Sequence, residues 1–154
     1  MLILNKVCNA LQEAGVRYAI VGGHAVALHG AVRGTVDIDI AIAWNRNMLE
    51  RAEAALTGIG LESRLPITAK DVFDFRDEYI NNRNLVAWNF YHPDNLAEQV
   101  DIIIAYDLKG KRTKILALPD GPVRILHIDD LIAMKRSSGR PQDDEDISAL
   151  ERIR

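Results

Sequence analysis

From Val36 to Ile42 the sequence alternates so strictly, Val-Asp-Ile-Asp-Ile-Ala-Ile, that only an extended strand gathers its branched residues on one side. Val36, Ile38, Ile40 and Ile42 then face a core, and Asp37 and Asp39 share the opposite face. Two carboxylates held side by side repel one another and raise one another's pKa, so the arrangement is most comfortable with a cation between them. Oxygen donors alone, with no Cys or His in the pair, point to Mg²⁺ or Mn²⁺.

Thirteen residues upstream of this pair ends a glycine doublet, Gly22-Gly23. Arg17 to Val21 reads as a short buried strand, and the stretch from His24 to His29 has helical composition, so the doublet forms the turn between a strand and a helix N-terminus. Backbone N–H groups there, with no Cβ in the way, can approach phosphate oxygens closely. A third acid, Asp101, stands in the apolar run Gln99-Val100-Asp101-Ile102-Ile103-Ile104, where an uncompensated carboxylate is costly. A metal shared with Asp37 and Asp39 would satisfy it. The bland alternative makes all three acids polar residues on the outer face of a sheet.

The order Gly22-Gly23, Asp37-Ile38-Asp39, Asp101 resembles the fingerprint of the nucleotidyltransferase superfamily typified by DNA polymerase β. Tyr18 to Ile42, with Gly22-Gly23-His24-Ala25, Arg33-Gly34-Thr35 and Asp37-Ile38-Asp39-Ile40, is similar to the small bacterial members related to AbiEii-type toxins. Asp130-Leu131-Ile132-Ala133-Met134-Lys135 followed by Arg140-Pro141-Gln142-Asp143 resembles their closing motif. The resemblance implies a polymerase β-like α/β (α+β) domain, a mixed sheet flanked by helices. It implies Mg- or Mn-dependent transfer of a nucleoside monophosphate from ATP or GTP to an acceptor hydroxyl or phosphate. Asp37, Asp39 and Asp101 would be the catalytic and metal-holding residues, with Gly22, Gly23, His24, Arg33, Lys135 and Arg140 at the nucleotide. Small antibiotics, a tRNA end and a protein hydroxyl are all acceptors among the resembling families. The alternative is a non-catalytic protein that keeps the fold as an antitoxin or regulatory partner in a toxin-antitoxin pair.

Several of these residues have a second reading. Arg33 is a phosphate contact or a solvated loop arginine. The family's alternative Gly-Ser form places a serine where this chain has Gly23, so that hydroxyl is absent; His24 either replaces it by donating to phosphate or packs against the helix. Lys135 and Arg140 bring two cations toward a triphosphate, or pair with the acidic run Asp143-Asp144-Glu145-Asp146, which itself suits a helix N-terminus. His29, His92 and His127 lack metal-ligand spacing. Trp44 and Trp88 are assigned to packing, Trp44 with base stacking as its alternative.

With 154 residues and 48% apolar content the chain can bury a core, and its length argues for a single domain, 1–154. The lone Cys8 excludes an intramolecular disulfide, and no signal peptide or long apolar run is evident, so a cytoplasmic, membrane-free protein is expected. A net charge of -3 lacks the footprint of a non-specific nucleic-acid binder. Larger members of the resembling family add a helical domain that helps hold the acceptor, so the resemblance implies for a chain of this size an acceptor site that is shallow, shared with a homodimer mate or supplied by a partner.

Periodicity and breakers predict helices over 2–14, 24–30, 47–56, 128–136 and 143–152, and one helix capped by Thr68 and running through Tyr79. Strands are expected over 17–21, 36–43, 85–91, 99–104, 116–118 and 123–126, with turns at 81–84 and 93–95.

Overall fold

The structure, a computed structural model, describes residues 2–31, 33–34 and 37–154. Thr35 of the Arg33-Gly34-Thr35 motif and Val36 at the head of the expected strand lie outside the described residues.

The chain opens with α1 (Ile3–Glu13), which buries Val7, Cys8 and Leu11 on one face and gives way at Gly15, φ +72°. β1 (Tyr18–Val21) is buried throughout and runs directly into α2 (Gly22–Leu28). The helix therefore begins at the glycine doublet itself. β2 (Ile38–Ile42) returns antiparallel to β1, with Tyr18 opposite Ile42 and Val21 opposite Asp39. α3 (Arg46–Gly58) starts at Asn45, whose side chain accepts the Met48 N–H at 2.8 Å.

A two-residue strand absent from the sequence expectations, β3 (Glu62–Ser63), precedes α4 (Ala69–Asp74) and α5 (Arg76–Arg83). Thr68 caps α4 as expected, in a reciprocal box with Asp71. The single helix expected through Tyr79 is broken at Phe75 (φ −110°, ψ 23°). The reason is tertiary: Arg76 donates to the Ile104 carbonyl at 2.8 Å and lies 4.5 Å over the Trp44 ring, so the chain must turn to reach the sheet. α5 then takes in Asn81, Asn82 and Arg83, and the turn contracts to Asn84, φ 50°.

Two hairpins complete the sheet. β4 (Ala87–His92) pairs antiparallel with β5 (Asn95–Ile103), and β6 (Thr113–Leu118) with β7 (Gly121–Leu126). α6 (Ile128–Ser138) and α7 (Pro141–Ile153) follow, α7 with proline in its first turn, where the missing N–H costs nothing. The order is β3-β4-β5-β2-β1-β7-β6, and the β2–β5 and β1–β7 pairs are parallel. This is a mixed sheet flanked by helices. Ile20, Ile38, Ile40, Trp88, Phe90, Ile102 and Ile125 form its buried heart. Among the described residues no helix is long and apolar enough to cross a membrane.

Candidate active site

The alternation that makes β2 a strand also decides what its two faces carry. Ile38 and Ile40 are wholly buried, as are Val100 and Ile102 beside them on β5, so Asp39 and Asp101 project from the other side. The parallel register sets Asp39 directly opposite Asp101, and the two share a hydrogen bond. Asp37 stands immediately before β2, close enough for the Asp101 charge to act on it.

The glycine doublet closes over this pair. Gly22 has φ +65°, and a Cβ placed on it would lie 2.0 Å from Asp39 Oδ2. No L side chain fits there. Within the doublet the geometry singles out Gly22 as a position that must be bare. Gly22 and Gly23 form the first turn of α2, where backbone N–H groups lack intrahelical acceptors.

Burial raises the Asp39 carboxyl to about 7, reinforced by the charge and hydrogen bond of Asp101 and by Asp37, with Arg140 opposing. Asp37 is raised too, first by burial and then by Asp101, while Arg64 and His24 pull it back. Among the described residues no lysine or arginine is in salt-bridge contact with Asp39 or Asp101.

Across from the carboxylates the opposite arrangement holds. Lys135, only 5% exposed, places Nζ 3.0 Å from Asp146 and 3.5 Å from Asp143, both fully or almost fully buried. Arg33 Nε reaches Asp146 at 3.1 Å, and Arg140 grips Asp143 through Nε and Nη2 at 3.1 and 3.2 Å. Although burial opposes it, hydrogen bonds from Arg140 and Ser138 hold the Asp143 carboxyl down at about 2. The first two turns of α7, through Asp143 and Asp146, are thus an anchor for three cations. Lys135 is a fixed, buried ammonium, neither ordinary surface charge nor a mobile cation waiting for a ligand.

Both walls line one open cavity of about 340 Å³, bounded by Gly22, Gly23, Arg33, Asp37, Asp39, Asp101, Lys135 and Arg140. His24 lies in the first turn of α2 with its charge acting on Asp37, but it is not among the lining residues. Among the described residues no three His, Cys, Asp or Glu side chains are already drawn into one coordination shell. What stands ready is the Asp39–Asp101 pair with Asp37 beside it.

The second reading of Lys135 and Arg140, pairing with the acidic run, is the one observed, at Asp143 and Asp146. The choice of these two acids within the run follows helical spacing: Asp143, Asp146, Ile147 and Leu150 recur on one face, which puts two acids on the buried side of α7. The residue that sequence reasoning missed is Asn89, which donates its amide to Asp101 at 2.9 Å. Asn89 had no signal short of the β4–β5 register.

No protein-family model matches the sequence, and no curated protein matches it. Solved structures do match. An antigenic nucleotidyltransferase-like protein from Paracoccidioides brasiliensis superposes with a TM-score of 0.60 at 16% identity, over 96% of this chain and 73% of that one. The antibiotic-resistance factor ANT(2'')-Ia gives 0.60 at 16% over 98% and 80%. The lincosamide antibiotic adenylyltransferase LnuA, solved with lincomycin bound, gives 0.59 at 13% over 95% and 92%. This chain has the nucleotidyltransferase fold. Within that fold the expected α/β class and mixed sheet are as observed.

Proposed function

We propose that the protein is a metal-dependent nucleotidyltransferase that moves a nucleoside monophosphate from an NTP to an acceptor oxygen. One observation carries this reading: the register pair Asp39–Asp101, with Asp37 adjacent and bare Gly22 pressed against Asp39, opens into a cavity whose far wall is cationic.

The donor set fits a divalent ion. It consists of hard carboxylate oxygens alone, and burial first, then Asp101 and Asp37, push the Asp39 carboxyl up, a cost that a bound cation would relieve. Asp37, Asp39 and Asp101 would hold Mg²⁺ or Mn²⁺, which when bound supplies neutralisation of phosphate charge and polarisation of the reacting phosphoryl group. The remaining steps belong to the chain. Gly22 and Gly23 let backbone N–H groups approach the phosphates, and Arg33, Lys135 and Arg140 give the cavity wall its positive charge. Asp101 receives the proton of the acceptor hydroxyl. The acceptor oxygen forms a bond to the α-phosphorus, the bond from that phosphorus to the bridging oxygen breaks, and pyrophosphate leaves with the electron pair.

The test is transfer of label from an α-labelled NTP. Asp37→Asn and Asp39→Asn are expected to abolish it while the fold survives, since each removes charge without changing volume. Asp101→Asn is expected to keep Mg²⁺-dependent NTP affinity and to lower the rate by about 10²-fold, the scale for losing a general base. A protein that keeps only the fold as a binding partner would bind no NTP with or without Mg²⁺. Undiminished transfer in both Asp37→Asn and Asp39→Asn would end the proposal.

A further inference from the structure

Asp101 is also held from the side away from the glycine turn. Asn89, its register partner on β4, donates to Asp101 Oδ1 at 2.9 Å and to Gln99 Oε1 at 3.3 Å, and accepts at its own Oδ1 from Arg64 Nε at 2.7 Å. An arginine only donates, so its approach fixes which end of the amide faces Asp101. Arg64 is fixed in turn: its backbone N–H bonds the Asn89 carbonyl at 3.0 Å, and its guanidinium lies 4.6 Å over the Tyr91 ring. The result is an exposed but preorganised cation two hydrogen bonds from Asp101.

Arg64 lies outside the cavity lining and differs from the cations within it. Arg33, Lys135 and Arg140 are committed to Asp143 and Asp146. Among the described residues Arg64 has no carboxylate partner, and its Nη1 and Nη2 donors bond no protein group. Its position differs as well. The strand order β3-β4-β5-β2-β1 puts the glycine turn, at the end of β1, on one side of Asp101 and Arg64, just after β3, on the other. A nucleotide whose phosphates lie against Gly22-Gly23 leaves Arg64 for the second substrate. Its charge is still felt at Asp37, so it is within electrostatic reach of the reacting centre.

We propose that Arg64 is the acceptor-side anion contact, so that the acceptor is a hydroxyl compound bearing an oxyanion, and not a polycation; this rests on the nucleotidyl-transfer reading above. A guanidinium with two open nitrogens presents a paired donor edge that suits phosphate or carboxylate equally. A polycationic acceptor meets like charge at the same place. Asn89 serves as a positioning residue, coupling the guanidinium to Asp101 so that anion binding and acceptor deprotonation share one rigid frame.

The experiment titrates glycerol 3-phosphate, glycerate and tobramycin into the protein by calorimetry, with and without bound NTP and Mg²⁺, and follows label transfer to each. At least one of the two anions is expected to bind, with tobramycin weaker, and the pair distinguishes phosphate from carboxylate. Arg64→Gln should weaken the anion by about 10-fold or more while NTP affinity stays within about 2-fold, and Arg64→Lys should recover part of the loss. In transfer assays the change should fall on acceptor KM and leave kcat in place. Anion affinity that is absent in the wild type, unchanged in Arg64→Gln, or exceeded by that for tobramycin would overturn the proposal, as would a loss of NTP affinity in place of anion affinity. Failure of wild-type protein to bind NTP would sink the transfer reading instead, and the titrations without nucleotide would still decide the role of Arg64.

Discussion

The two walls of the cavity handle buried charge in opposite ways. On the α6–α7 side, Lys135, Arg33 and Arg140 are matched against Asp143 and Asp146, with every carboxylate oxygen engaged at 3.0–3.5 Å. On the sheet side, Asp37, Asp39 and Asp101 face one another with no lysine or arginine in salt-bridge contact with Asp39 or Asp101 among the described residues. Like charges crowded together are a standing cost unless something external relieves them, whereas a matched cluster is complete by itself. The difference is that the α6–α7 wall is held by its own ion pairs and, with three cations against two carboxylates, keeps one positive charge, whereas the sheet wall carries its negative charge without such pairs at Asp39 or Asp101.

Removing the centre of the matched wall should produce the largest effect. Lys135→Met leaves two buried carboxylates facing each other and is expected to cost about 3–5 kcal/mol in urea unfolding. A loss below about 1 kcal/mol would mean that water already compensates Asp143 and Asp146, and the contrast between the walls would collapse. Next comes Gly22→Ala, which combines a left-handed backbone with a methyl group 2.0 Å from Asp39 Oδ2. Its expected cost is about 2–4 kcal/mol, with transfer lost because Asp39 must move. Wild-type stability in that variant would show that Asp39 has room to swing away.

The unmatched wall should respond with the opposite sign. Because the folded Asp39 carboxyl titrates near 7 while an unfolded one titrates near 3.8, the native state holds an extra proton between those values. Stability therefore falls as pH rises through that window. In EDTA at pH 8, Asp39→Asn should be more stable than the wild type by about 1–3 kcal/mol, and its stability should be flatter from pH 4 to 8. Equal pH profiles for the two proteins would show that the carboxylates are not crowded at all.

The sheet wall was legible in the sequence because strand alternation and the glycine doublet are local signals. Asp37, Asp39, Gly22 and Gly23 lie within one strand-turn-helix-strand unit, and Asp101 announces itself by standing in an apolar run. The other wall was only half legible. Lys135, Arg140 and the acidic run were visible as charges that could pair, but which acid meets which cation, and that Arg33 joins them, depends on how α7 packs against the rest of the chain, which no short window encodes. The same holds for the break at Phe75, made by the distant contact of Arg76 with Trp44 and Ile104, and for Asn89, whose meaning rests on strand register alone.

The bridge from Arg33 to Asp146 joins residues 113 positions apart. A ribosome delivers the glycine turn and the first two carboxylates early, yet the cationic wall cannot exist until α7 has emerged and docked. Contacts of such long range form late and slowly compared with local ones. A nascent chain thus displays the acidic wall of the cavity long before the cationic wall can stand opposite it. The cavity is completed only by α7, and disruption of that helix is expected to yield a protein with an intact sheet and one wall missing.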